Sequence, residues 1–237
     1  MVTLTAVAWE ISLIASLEIL KVVSQPFDEN TYLIHKPGDA ACLIVDPGLE
    51  PDKILQAISG RNLQPAVILN THGHSDHIAG NEAMKKAWPE IPLVIGHEDA
   101  EKLTNPVTNL SRPFGIDLIS PPADQLVGDE EEISFAGISM KVLETPGHSS
   151  GHVVFVIEPM DDASPTVVIG GDVLFQGSIG RTDFPDGSFE QLQASIHNKL
   201  FTLPTNTIVL PGHGPATTVG QEIESNPFVG KPAGYSL

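Results

Sequence analysis

Short apolar runs, punctuated by glycine and proline, dominate the chain, and their period changes along it. Leu17–Val23 is β-branched and apolar and stops before Ser24-Gln25-Pro26, which predicts a strand. Thr31–His35 and Ala41–Asp46 predict two more, joined at the Pro37-Gly38 turn. After Asp46-Pro47-Gly48 the period lengthens. Ile54, Leu55 and Ile58 share one helical face, with Pro51 near its start and Gly60 near its end. Ala66–Asn70 predicts a buried strand, Ile78–Trp88 a helix and Leu93–Ile95 a short strand. Four prolines across residues 104–124 predict an irregular surface excursion. Glu132–Phe135 and Ser139–Glu144 then predict strands turning at Gly137, followed by strands at Val153–Ile157 and Val167–Gly170. Phe189–Leu200 predicts a helix with Ser188 as N-cap, Thr207–Leu210 a last strand and Val219–Ser225 a closing helix.

Strands with interspersed helices, and then the same pattern again, imply an α/β domain over residues 17–237. Its two sheets pack face to face with helices outside. Residues 1–16 form an extension that fits a further strand, a short packed helix or an overextended start. Thr3, Thr5, Glu10, Ser12, Ser16 and Glu18 interrupt the apolar-rich run Val2–Leu20, which suits neither a secretory signal nor a membrane span. A cytoplasmic protein with no membrane partner is the expectation.

Composition removes several function classes. The 237 residues carry 12 Lys+Arg against 30 Asp+Glu, a formal net charge of −18. That balance argues against coating a nucleic acid, and an anionic substrate would need a local positive centre. The single cysteine, Cys42, excludes an intrachain disulfide and a cysteine-based zinc cluster; its apolar run predicts a buried thiol.

The nine histidines are unevenly placed. Thr71-His72-Gly73-His74-Ser75-Asp76-His77 follows directly on the strand at Ala66–Asn70. Neutral imidazoles and carboxylates bind divalent zinc, iron or manganese. The spacing lets two pairs of side chains face two adjacent metal positions. Further candidates end later strands: His148 in Thr145-Pro146-Gly147-His148, Asp172 after Gly170-Gly171, and His213 in Pro211-Gly212-His213-Gly214-Pro215. Each is flanked by glycine, which lets a loop approach an ion closely.

On these motifs the sequence resembles the metallo-β-lactamase superfamily, and within it the glyoxalase II-like hydrolases (hydroxyacylglutathione hydrolases), from about Leu17 to Phe228. The resemblance implies a four-layer αββα sandwich with a dinuclear site at one edge of the sheets. His72, His74 and His148 would hold one ion. Asp76, His77 and His213 would hold the other, and Asp172 would bridge both. Zinc is the first expectation for the two ions, with iron or manganese as alternatives. The implied reaction is hydrolysis of a small thioester such as S-lactoylglutathione by a hydroxide shared between the ions, with Asp76 as the catalytic side chain that aims it. His77 occupies a position where the best-known zinc β-lactamases carry another residue, which argues against antibiotic hydrolysis. The chain ends 24 residues after His213, without the helical C-terminal domain of full-length glyoxalase II enzymes. It is similar instead to short bacterial relatives that share the run Gly177-Ser178-Ile179-Gly180-Arg181-Thr182-Asp183-Phe184 and an ending like Asn226-Pro227-Phe228.

Around that core, Asp46 and His152 are candidates to support the ligands from behind, with a turn-forming or structural role as the alternative. Arg181 either pairs with Asp183 or contacts substrate. Asn30 and Tyr32 are read as packing or turn residues. Two other activities fit the same motifs. Persulfide dioxygenases resemble the sequence too, with one iron on the positions of His72, His148 and Asp172, and a lactonase would use the same site as the hydrolase.

Overall fold

The computed structural model of the protein describes residues 10–14, 16–159 and 164–236. Seven strands form the first sheet: β1 (Glu10–Ile14), β2 (Leu17–Ser24), β3 (Glu29–His35), β4 (Ala41–Val45), β5 (Gln64–Leu69), β6 (Leu93–Gly96) and β7 (Gln125–Val127). They lie side by side in chain order, antiparallel from β1 to β4 and parallel from β4 to β7. The parallel pairs require crossovers. These run through α1 (Pro51–Gly60), then α2 (Ser75–Ile78) and α3 (Asn81–Ala87), and finally the 97–124 excursion.

The second sheet contains β8 (Glu132–Phe135), β9 (Ile138–Glu144), β10 (Val153–Ile157) and β11 (Val167–Gly171). A small hairpin follows, β12 (Leu174–Phe175) with β13 (Ser178–Ile179), and then α4 (Phe189–Ser195). β14 (Ile208–Pro211) and β15 (Thr217–Thr218) complete the sheet in the order β15-β14-β11-β10-β9-β8, and α5 (Val219–Ser225) follows.

Strand alternation explains why both faces of each sheet are apolar. In β4, Leu43 and Val45 face the second sheet while Cys42 and Ile44 face the helices. In β10, Val153, Phe155 and Ile157 point between the sheets while Val154 and Val156 point to α4 and α5. Ile54 and Ile58 of α1 and Met84 of α3 cover the first sheet. Leu192 of α4 and Ile223 of α5 cover the second. The layers are therefore helix, sheet, sheet, helix, as expected. Cys42 is fully buried, and burial pushes its thiol up to about 12. Among the described residues no helix is long and apolar enough to cross a membrane.

Two local expectations change, and a third is narrowed. The helix expected over Ile78–Trp88 is two helices, because the Gly80 N–H donates to Pro47 O at 2.7 Å and leaves the helical ladder. A Cβ at Gly80 would meet Pro47 at 2.9 Å, so this approach needs glycine. The helix from Phe189 ends in a π turn over Ile196–Leu200. Within the 1–16 extension, residues 10–14 add an edge strand that pairs Glu10 with Lys21 and Ile14 with Leu17, while residues 1–9 and 15 lie outside the described residues.

Candidate metal centre

The chain leaves five strands at the same edge of the sandwich, and each exit carries a polar side chain. β4 ends into Asp46, β5 into the 71–77 loop, β9 into His148, β11 into Asp172 and β14 into His213. The structure brings His72, His74, Asp76, His77, His148, Asp172 and His213 together. Three overlapping groups could each hold an ion, with ligand atoms within 4.8 Å of one another: His72/His74/His148, His72/His77/Asp172 and Asp76/His77/His213.

Hydrogen bonds behind the cluster fix which nitrogen faces inward. His77 Nδ1 donates to Asp46 Oδ2 at 3.1 Å. His148 Nδ1 donates to Arg181 O at 2.8 Å, and His213 Nδ1 to Phe27 O at 2.9 Å. In the neutral rings the Nε2 atoms therefore carry the lone pairs. Asp172 lies between them, with Oδ1 3.5 Å from His77 Nε2 and Oδ2 3.4 Å from His148 Nε2 and 3.6 Å from His213 Nε2. Asp76 Oδ2 is 3.4 Å from His213 Nε2 and 3.7 Å from His77 Nε2. His74 Nδ1 and His148 Nε2 are 2.9 Å apart.

Four buried atoms here have no hydrogen-bond partner: the Nε2 atoms of His72, His74 and His77, and Asp172 Oδ1. Leaving so many buried polar atoms unpaired is costly, and the three of them on His72, His77 and Asp172 lie in a group that fits a cation. The residues are therefore suited to a divalent metal. Electrostatics agree. Burial, reinforced by neighbouring imidazoles, pushes His72 well below the ordinary value. Burial and the His148 ring bring His74 down to about 3. Burial also lowers His148 despite Asp172. These rings are neutral donors at pH 7. Burial acts on His77 and His213 in the same direction, but the carboxylates of Asp76 and Asp172, joined at His77 by Asp46, hold both above it. Burial opposes the charge of Asp76, yet His77 and His213 keep its carboxyl below the usual carboxylate range.

Asp46 and His152 both stand behind the cluster. Asp46 also accepts from the Thr71 N–H at 2.8 Å and Thr71 Oγ1 at 2.7 Å, so it anchors the loop as well as the ring. His152 Nε2 accepts from the Asp172 N–H at 3.0 Å, and its Nδ1 faces Thr145 Oγ1 at 3.1 Å. Its inner nitrogen is thus occupied by backbone. Asn30 and Tyr32 do more than pack: Asn30 Nδ2 donates to Pro211 O and Gly214 O, and Tyr32 Oη to Pro211 O, which holds the His213 loop.

Asp99 and Lys102 were not singled out from the sequence, where they belong to an ordinary polar run. Asp99 Oδ2 accepts from the Gly73 N–H at 2.8 Å and Oδ1 from the Gly151 N–H at 2.7 Å. It thereby ties the 71–77 loop to the His148 loop. Lys102 Nζ donates to Asp99 and Asp186 at 2.6 Å each and also to Ser149 Oγ. The β12–β13 hairpin is pinned from the C-terminal side. Glu222 accepts from the Gly177 N–H at 2.8 Å, and Asn226 Nδ2 donates to Ser178 O at 2.9 Å. That gives the Asn226-Pro227-Phe228 run a structural role.

A cavity of about 450 Å³ opens over His74, Asp76, His148, Asp172 and His213. Arg181 lies on its wall, bound in a fork to Asp183 at 2.9 and 2.8 Å and stacked 4.6 Å over Phe184.

Comparison with known proteins agrees with this geometry. Residues 25–213 match the family described as the metallo-beta-lactamase superfamily. The chain is 41% identical to a probable metallo-hydrolase, YqgX, of Bacillus subtilis, over 90% of this chain and 96% of that one. It is 37% identical to the hydroxyacylglutathione hydrolase GloC of Haemophilus influenzae, over 90% of this chain and 98% of that one. Among solved structures, the BLEG-1 B3 metallo-beta-lactamase superposes with a TM-score of 0.83 at 37% identity, covering 89% of this chain and 99% of that one. TTHA1623 in a di-iron-bound form gives 0.74 at 34% identity, covering 88% and 98%.

Proposed function

The chain belongs to the metallo-β-lactamase superfamily, and from that membership we propose that it hydrolyses small thioesters with two divalent metal ions, in the manner of a hydroxyacylglutathione hydrolase. The observation that carries this reading is the convergence of unpartnered His72 and His77 Nε2 and Asp172 Oδ1, with His74 Nδ1 and His148 Nε2 beside them, beneath an open cavity. His72, His74 and His148 would hold one ion, Asp76, His77 and His213 the other, and Asp172 both. Two ions bound there would polarise a carbonyl and bring the pKa of water near neutrality.

The chain's own residues supply orientation. Asp76 stays ionised, so it accepts a hydrogen bond from the attacking water and aims it; its low basicity suits aiming better than proton removal. Asp46, Arg181 O and Phe27 O each take an Nδ1 proton and so fix a ring. Phe184 packs edge-on against His74 and His148 at 5.1 and 5.5 Å and keeps water from that side. The leaving thiol, with an ordinary pKa of about 8.5, departs as thiolate without a dedicated acid.

The 37% identity to GloC over nearly the whole of both chains supports the thioester class. The test is hydrolysis of S-lactoylglutathione by protein loaded with zinc, iron or manganese, with metal counted per chain. Two ions and release of glutathione are expected. One iron per chain with oxygen uptake on glutathione persulfide overturns the reading. So does faster turnover of a β-lactam, the arm called for by the B3 neighbour, or of a lactone.

A further inference from the structure

The cavity over the metal centre has walls unlike those that recognise a charged ligand. Phe27, Leu110, Phe114, Phe175, Ile179 and Phe184 line it. Apolar side chains stand both beside the candidate ligands and at the exposed rim. Phe184 lies against the His74 and His148 rings, and Phe175 against His213 at 6.2 Å. Further out, Phe27 and Phe114 meet edge-on at 5.3 Å. These two rings are 40% and 62% exposed, which is uncommon for phenylalanine unless the surface meets something apolar.

Positive charge on the wall is limited to Arg181 among the described lining residues, apart from the histidines. Its guanidinium is already matched by the Asp183 carboxylate in a two-point fork. Glutathione carries two carboxylates and an ammonium, and among the described lining residues no unpaired Lys or Arg awaits the carboxylates. Hydrocarbon, by contrast, would bury the exposed aromatic faces.

Resting on the thioester hydrolase reading above, we propose that the cavity selects the acyl half of the substrate and that it takes apolar acyl groups, medium-chain aliphatic or aryl, in preference to small hydroxyacyl groups. Phe27 and Phe114 are the specificity-determining residues. The thioester carbonyl lies at the His and Asp cluster, the acyl chain runs along the phenylalanines, and the thiol half extends towards solvent.

One thiol with a graded acyl series separates the two halves of the substrate. The full chain loaded with zinc is assayed on the acetyl, lactoyl, butyryl, hexanoyl and phenylacetyl thioesters of glutathione. Burying a methylene contributes about 0.8 kcal/mol, about fourfold. The expected kcat/KM therefore rises by up to fourfold per methylene until the cavity fills, chiefly through KM. Phe114→Ala and Phe27→Ala should each lower the hexanoyl-to-lactoyl ratio about tenfold, and Phe114→Leu should restore most of it. Calorimetric binding of hexanoate against acetate gives a readout independent of turnover. Hexanoate should bind at least tenfold tighter, and this advantage should disappear in the Phe27→Ala/Phe114→Ala double variant. A flat acyl series, equal losses on all acyl groups, or equal binding of the two carboxylates overturns the proposal. If no thioester is hydrolysed while hexanoate still binds selectively, the thioesterase reading fails and the apolar selectivity stands.

Discussion

The Asp46 carboxylate accepts the Nδ1 proton of His77 at 3.1 Å, and this one contact turns the ring's Nε2 towards Asp76 and Asp172. Asp46 adopts φ +45, a backbone region that asparagine also tolerates. Asp46→Asn therefore keeps the turn and removes the charge. Loss of such a supporting carboxylate commonly lowers metal affinity about 10–100-fold. Competition with a chelator, followed by metal counting, measures it, and a change under twofold would show that the Asp46 charge does not support the ring.

Bound metal should stabilise the fold, because it pairs atoms that now lack partners. Zinc at about 100 times its Kd contributes about 2.7 kcal/mol, or roughly 5–10 °C in Tm for a chain of this size. Chelation should reverse the shift, and His72→Ala should abolish most of it. His77 and His213 hold their protons to higher pH than usual, and an ion must displace them. Affinity should therefore rise between pH 6 and pH 8 in a titration calorimeter; a fall would contradict the proposed ligand set.

Gly212 sits against the centre so closely that a Cβ there would lie 2.3 Å from Asp172 Oδ1 and 2.6 Å from His77 Cε1. Gly212→Ala should displace Asp172 and reduce metal occupancy below one ion per chain. Circular dichroism should show the sheets intact. Full occupancy in this variant would place the ions elsewhere.

Asp186 tests the network behind the His148 loop. Burial works against its charge, but hydrogen bonds from Lys102 and the Ser150 N–H prevail and bring the carboxyl down to about 2 from its ordinary 3.8. A depressed value stabilises the fold above the unfolded pKa, and that contribution is lost as pH falls through the folded one. The side chain is 31% exposed, so solvent screening reduces the effect. Asp186→Asn should lower stability by about 1 kcal/mol at pH 6, and the deficit should shrink by pH 3 in urea titrations. An equal deficit at both values would assign the loss to packing.

Much of the centre was legible because its chemistry is concentrated. Four candidate ligands fall between His72 and His77, and His148, Asp172 and His213 each follow a strand of buried apolar residues. Ser188 was legible for a local reason: its Oγ accepts the Gln191 N–H. Asp99 was not, since it acts on Gly73 and Gly151, which lie 26 and 52 residues away. The β12–β13 hairpin was missed because two-residue strands have no measurable period. Gly80 broke an otherwise helical pattern through a contact with Pro47 that no local propensity reports.

The candidate ligands divide across the seam of the sandwich. His72, His74, Asp76 and His77 leave the first sheet, whereas His148, Asp172 and His213 leave the second. Any ion shared between these sets is a cross-link between the two halves, added to the hydrogen bonds that Asn30, Tyr32 and Asp99 make across the seam and to the apolar contact between the sheets. Apolar faces can slide by a fraction of an ångström at little expense, but a coordination shell cannot. The ions would thus help to hold one sheet on the other, and substitutions deep between the sheets would be felt at the reaction centre as changed metal geometry.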